Sequence, residues 1–158
     1  MPIDFSFSQE VEDARLMMRA FLHETVKPAF AALQADKDAE RADWSALVKS
    51  LRQTAKAEGF WLPHMPQDVG GMGLGVTALA AVSAEAAKIP MGPYIINAQA
   101  PDEGNMHTLY HFATDYQREH FLQPLLDGTA RSCFSMTEPD VAGSDPTLIQ
   151  TSAVEEGD

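Results

Sequence analysis

Apolar positions return every three to four residues through the first part of the chain. Val11, Ala14, Met18, Phe21, Leu22 and Val26 fall on one face of a helix beginning at Ser8, a good N-cap, with Glu10, Glu12 and Asp13 placed favourably against the helix dipole. Pro28 predicts an interruption, after which Ala29 to about Asp36 continues at an angle. The charged run 36–41 reads as a solvated turn. Asp43 then caps a helix whose apolar positions Trp44, Leu47, Val48, Leu51 and Ala55 share a face, and Gly59 closes it in the left-handed region.

The pattern breaks at Phe60-Trp61-Leu62, where a loop with Pro63, Pro66, Gly70, Gly71, Gly73 and Gly75 follows. Its glycines predict a loop passing close to the next helix, and that helix, from Val76 to about Ala87, is rich enough in alanine to be buried on several sides with little room for polar chemistry. Pro90 to Pro93 form a breaker cluster, and a short element starts at Tyr94 and runs toward Ala100. Asp102 predicts the cap of a helix carrying Met106, Leu109, Tyr110 and Ala113. Thr114-Asp115-Tyr116-Gln117 fits a capping box that opens a last helix with Phe121 and Leu122, ended by Pro124 and Gly128.

The period then changes. Residues Cys133 to Thr137 alternate apolar and hydroxyl-bearing side chains, as a strand does, and Pro139-Asp140 cannot extend the ladder. Gly143, Ser144 and Asp145 make a small-residue loop whose backbone freedom, hydroxyl and carboxylate suit a turn or a ligand. A second strand is expected over 148–154. The fold class is therefore mainly α: about six helices over residues 1–130, followed at 131–158 by the first strands of a truncated β domain. A strand pair with no sheet behind it has unpaired edges, which predicts disorder or pairing with another chain there.

With 158 residues the chain is large enough to bury a real core. Eleven Lys and Arg against 23 Asp and Glu leave a net charge of -12, which repels phosphate backbones and anionic lipid and speaks against nucleic-acid and membrane partners. The single Cys133 excludes an internal disulfide. Acidic residues at Asp4, Glu10, Glu12 and Asp13, with no long apolar run, read as neither a secretion signal nor a transit peptide, so the expected location is cytoplasmic.

Three local patterns carry less chemistry than they suggest. Gly71-x-Gly73-x-Gly75 lacks the spacing of a dinucleotide-binding fingerprint and follows no convincing strand. His107 and His111 stand four apart, as a two-histidine metal pair does, but no third ligand is evident and no metal is expected. Cys133 has no His or acid in a recognisable relation to it and reads as a small strand residue rather than a nucleophile.

The segment Thr137-Glu138-Pro139 followed by Gly143-Ser144-Asp145 resembles the signature of the acyl-CoA dehydrogenase family. Its spacer is one residue longer than in many members and is similar to the branch of mammalian family members ten and eleven, which act on long or branched acyl chains. Ala100-Pro101-Asp102-Glu103-Gly104-Asn105-Met106 resembles a motif of the same branch, and the loop from Leu62 through Gly70-Gly71-Met72-Gly73-Leu74 is similar to the family's Gly-Gly-x-Gly-Leu loop. The resemblance covers nearly the whole chain, although family members are about twice its length or longer.

What the resemblance implies is specific. Family members join an N-terminal helical domain, a middle β domain and a C-terminal four-helix domain; this chain would hold the first and the front edge of the second, and lack the third. FAD is the implied cofactor. Phe134, Ser135, Met136 and Thr137 would lie along the flavin ring, with Met136 in contact and Thr137 at the polar edge. Gly143 and Ser144 would approach the cofactor phosphates or the substrate's CoA portion, while Glu138 and Asp145 would pair internally to hold the loop. The implied partners are an acyl-CoA thioester, an electron-transfer flavoprotein and, at full length, further copies of the same chain in a homo-oligomer. The base that takes the α-proton belongs to the C-terminal domain in the family, so no catalytic residue is expected here and the chain alone is expected to be inactive.

Read from the residues alone, the same segment is first of all an ordinary strand and turn. Two other functional readings remain open: a stand-alone helical binding or assembly module, and an acyl-CoA oxidase or flavin monooxygenase sharing the architecture.

Overall fold

A computed structural model describes residues 6–141 and 143–157; Asp4, Ala142 and Asp158, which enter the sequence reading, lie outside the described residues. Helix α1 (Gln9–Ala20) starts where Ser8 Oγ accepts the N–H of Val11 at 3.5 Å, with Glu10 and Glu12 in its first turn. It does not break at Pro28. A π-helical turn (Phe21–Val26) leads directly into α2 (Lys27–Ala35), and the N–H of Lys27 reaches back five residues to the carbonyl of Leu22. The expected interruption was based on the ring of an interior proline pressing on the carbonyl four residues before it; a widened turn just ahead of the proline relieves that contact and keeps the helix continuous.

The same device recurs near the end of the helical region. A second π-helical turn (Arg118–Leu122) separates α7 (Asp115–Gln117) from α8 (Gln123–Leu126), Pro124 follows it, and Gln123 N–H donates to Arg118 five residues back. Thr114 and Gln117 form the expected capping box, each accepting the other's backbone N–H at 3.3 and 2.9 Å.

Between these lie α3 (Arg41–Ala57), α4 (Val76–Ala86), α5 (Gly92–Ile95) and α6 (Asp102–Phe112). Counted through the π turns, the described residues make six helices, as the pattern predicted. Glu40 rather than Asp43 is the N-cap of α3; Asp43 stands in the first turn and its carboxylate accepts the N–H of Glu40 at 2.9 Å. Leu51 and Ala55 are buried as expected, whereas Trp44 is 36% exposed and stacks on Phe30. The core is built from Met18, Leu22, Met65, Ile95, Ile96 and Met106, all fully buried, and the indole N–H of Trp61 ties it to α8 through the carbonyl of Leu126 at 2.8 Å. No helix among the described residues is long and apolar enough to cross a membrane.

The glycine loop closes on itself rather than on the next helix. A Cβ on Gly71 would sit 2.0 Å from the carbonyl oxygen of Met65, so only glycine fits where the loop crosses its own start. α4 packs along α1, and its small buried residues Ala78, Ala81, Val82 and Ala86 allow the close approach. Polar chemistry is nevertheless built into that interface. Glu85, 2% exposed, accepts from Arg15 at 2.6 Å, from Arg19 at 2.8 and 3.1 Å and from Lys88 at 2.9 Å.

The two expected strands are not formed among the described residues. Residues 131–138 have no regular secondary structure; Pro146–Leu148 is a single 3-10 turn, and 149–157 follow without a ladder. A strand needs a neighbour to accept its backbone hydrogen bonds, and the described residues supply none for them.

Candidate functional site

The segment from Arg131 to Thr151 leaves the helical domain over a buried carboxylate. Asp102, 1% exposed at the start of α6, accepts the N–H of Ser132 at 2.7 Å, the hydroxyl of Ser132 at 2.6 Å and Arg131 Nε at 2.5 Å. Gln99 donates to the same carboxylate at 2.8 Å, and the amide of Asn105 donates to Ser132 Oγ at 2.8 Å. Asp102 is therefore a helix residue holding the outgoing chain, not the cap the sequence suggested. Burial pushes its carboxyl up, but the hydrogen bonds from Ser132 and the Arg131 guanidinium outweigh this and hold it below its ordinary value.

Beyond the anchor the side chains are displayed to solvent. Phe134 is 64% and Met136 43% exposed; Cys133, Ser135 and Thr137 are exposed as well. Among the described residues no backbone–backbone hydrogen bond engages 133–137, so the peptide groups beside these side chains remain uncommitted. Phe134 reaches back toward α6, close enough that a Cβ on Gly104 would lie 3.7 Å from the tip of its ring.

A second carboxylate closes the loop. Glu138 accepts the backbone N–H of Gln150 at 2.9 Å, that of Thr151 at 2.8 Å and the Thr151 hydroxyl. These donors, the Thr151 hydroxyl first, hold its carboxyl below the ordinary range. Asp145 accepts the N–H and hydroxyl of Thr147 at 3.0 and 2.7 Å, and the hydroxyl first, then the N–H, lowers its carboxyl too. Both acids pair internally, as the resemblance implied. The loop so closed brings Gly143 against Thr137, where an added Cβ would lie 3.4 Å from Thr137 Cα and Oγ1, and leaves Ser144 exposed beside it.

Thus the structure brings Thr137 and Gly143 together and turns Phe134 toward α6. Two aromatic or thioether faces, three hydroxyls and free peptide groups on one exposed loop suit a planar, hydrogen-bonding cofactor, and the donor set fits a flavin. Among the described residues no set of three or more His, Cys, Asp or Glu could hold a metal ion. His107 and His111 stack 6.4 Å apart, and His64 meets His107 edge-on at 5.4 Å.

Sequence reasoning passed over Arg52, Glu85 and His64, all buried. Arg52 had a visible signal: it is a charge set beside Leu51 and four residues after Val48, at the edge of the apolar face of α3.

Comparison with known proteins agrees with this geometry. The family described as "Acyl-CoA dehydrogenase, N-terminal domain" matches residues 8–129. Acyl-CoA dehydrogenase family member 11 of Gallus gallus is 35% identical over 158 residues, covering 97% of this chain and 20% of its own length. The "probable acyl-CoA dehydrogenase FadE2" of Mycobacterium tuberculosis is 38% identical over 162 residues, covering 98% of this chain and 38% of its own length. A solved structure of a candidate acyl-CoA dehydrogenase from Mycobacterium abscessus superposes with a TM-score of 0.77 at 32% identity, over 90% of this chain and 38% of that one. The chain thus spans between a fifth and two-fifths of these relatives, and it belongs to the acyl-CoA dehydrogenase family.

Proposed function

We propose that this chain is the N-terminal part of an FAD-dependent acyl-CoA dehydrogenase, with residues 1–130 as its helical domain and 131–158 as the start of its middle domain. The observation that carries the reading is the loop itself: Phe134 to Thr137 displayed and uncommitted, with Asp102 holding the chain before them and Glu138 holding it after. Two internal carboxylate clamps around an exposed hydroxyl-rich run prepare a surface in advance, which lowers the ordering cost of binding.

In this reading Phe134 and Met136 cover one face of the isoalloxazine ring, while Ser135, Thr137 and nearby peptide groups hydrogen-bond its polar edge. Gly143 and Ser144 face the cofactor phosphates, and the Ser144 hydroxyl also serves the CoA portion of the substrate. Bound there, FAD supplies the hydride acceptor for α,β-dehydrogenation of an acyl-CoA thioester, of long or branched chain by the longer spacer between Pro139 and Gly143. The proton-abstracting base comes from a part of the enzyme outside this chain, so the chain alone binds without turning over. An electron-transfer flavoprotein receives the electrons, the complete enzyme is a homo-oligomer, and the compartment is cytoplasmic.

Equilibrium dialysis of FAD against the chain, read by flavin absorbance, tests the half-site. The reading expects saturable binding with a Kd under about 1 mM, weakened about tenfold in Thr137→Val/Met136→Ala. A folded chain with no saturable binding at that concentration contradicts it.

A further inference from the structure

The chain holds a second concavity, on the far side of Arg131 from the flavin loop's displayed residues by sequence, whose charge is opposite to that of the protein as a whole. It is an open groove of about 1180 Å³ between α2, α3 and the α4–α5 turn, ending at Arg131. Five of the eleven basic residues of the chain, Lys27, Arg41, Lys49, Arg52 and Arg131, line it, and none of the described acidic residues does. A solvated face of this sequence would show two acids for every base, so the segregation is not a sampling of the surface.

Arg52 gives the groove a built floor. It is 8% exposed and forms no ion pair with any described residue; its guanidinium is held by the carbonyl of Tyr94, by Asn97 Oδ1 at 3.3 Å and by Gly128 O at 3.5 Å. It lies 4.5 Å over the Tyr94 ring and 4.7 Å over Trp61. A guanidinium taken out of water with only neutral acceptors is costly to keep charged, and burial pushes it below its ordinary value. An anion seated on it would relieve that cost. Lys27, Arg41 and Lys49 form no ion pair among the described residues either, whereas Arg131 is matched by Asp102.

Between the cations the walls are apolar: Phe30, Trp44, Val48, Ile89 and Met91. Met91 is 46% exposed, and Trp44, stacked on Phe30, keeps 36% of its surface open. An acidic polypeptide would satisfy the rim and leave these walls wet, and nucleic acid would meet a chain of net charge -12. A compact body with one anionic head satisfies both features. We infer that this groove is a binding site for a single-chain amphiphile with an anionic head group, the head on Arg52 and the rim cations and the chain along the Phe30–Trp44 wall.

Trp44 provides the readout. Titrating the chain with decanoate below its micelle concentration, and separately with decyl phosphate, is expected to change tryptophan fluorescence saturably; the tighter of the two identifies a carboxylate or a phosphate head. Decanol, with the same chain and no charge, is expected to bind about tenfold more weakly. Arg41→Glu/Lys49→Glu, two exposed sites, is expected to weaken both anions about tenfold while far-UV circular dichroism stays unchanged. Decanol binding as tightly as the anions would overturn the inference, as would an absent fluorescence response to either anion or a polyglutamate peptide that binds where decanoate does not. These outcomes are independent of flavin binding at Phe134–Ser144.

Discussion

Asp102 and Ser132 meet across thirty positions of sequence, the carboxylate of one accepting both the backbone N–H and the hydroxyl of the other at 2.7 and 2.6 Å. This contact converts the end of the helical domain into the fixed start of the displayed loop. Replacing Asp102 with Ala leaves the Ser132 N–H and the Arg131 guanidinium without their acceptor. The expected loss is about 2 kcal/mol of stability, with faster tryptic cleavage after Arg131. Urea unfolding and timed proteolysis measure the two; wild-type cleavage rates in the variant would show that Asp102 does not hold the segment.

Glu85 joins α4 to α1 through Arg15 and Arg19, with Lys88 pairing to it locally three residues on. Hydrogen bonding from Arg19 foremost, opposed by burial and aided by Lys88 and Arg15, takes its carboxyl down to about 2 from 4.5. Because the folded value is the lower one, the stabilisation is complete above the unfolded value and drains as pH falls from about 4.5 toward about 2. Glu85→Gln is expected to lose about 3 kcal/mol near neutral pH and to unfold with less dependence on pH in that window, measured by urea denaturation.

His64 acts in the window just above. It is 7% exposed, neither ring nitrogen finds a hydrogen-bond partner among the described residues, and burial, reinforced by His107, lowers its pKa from 6.5 to about 4. The unfolded chain therefore takes up the proton first, and stability falls as pH drops from about 6.5 to about 4. The cost attributable to His64 between about pH 7.5 and about pH 5 is about 2 kcal/mol. His64→Leu, similar in volume, is expected to change stability at neutral pH by less than about 1 kcal/mol and to remove that pH-dependent loss. An unchanged pH profile in the variant would assign the effect elsewhere.

Much of this fold could be read from periodicity because most of its helices are amphipathic. The stripe through Met18, Leu22 and Val26 and the Thr114–Gln117 capping box each follow from local rules. What escaped were non-local compensations. Pro28 and Pro124 read as breakers because the rule treats a proline alone; the π turns that absorb them are backbone adjustments with no side-chain signature. Asp102 read as a cap because capping is the local use of an aspartate, and its true partner lies thirty residues on. The strands expected near Cys133 and Leu148 show the converse error: a local alternation was taken as sufficient, while a strand also requires a neighbour.

At the candidate site, the internal pairing of Glu138 and Asp145 was implied by the family signature and is what the structure shows. The signature could not reveal Asp102 as the anchor, although Asp102 sits inside the second motif that carries the resemblance. Nor could any local pattern show that Arg52 would be buried without a carboxylate, since burial of a charge depends on elements that assemble around it.

The central claim is that this chain supplies the flavin-facing loop of an acyl-CoA dehydrogenase whose base lies elsewhere. It is tested most directly in a chimera in which the chain replaces the corresponding N-terminal part of the Mycobacterium tuberculosis relative, purified and followed by visible absorption without oxygen. The account predicts a chimera that retains flavin and bleaches on addition of an acyl-CoA, with retention lost in Thr137→Val/Met136→Ala, while the 158-residue chain alone with FAD shows no bleaching. A folded chimera that holds no flavin, or holds it with the double variant indistinguishable from the parent, would contradict the account.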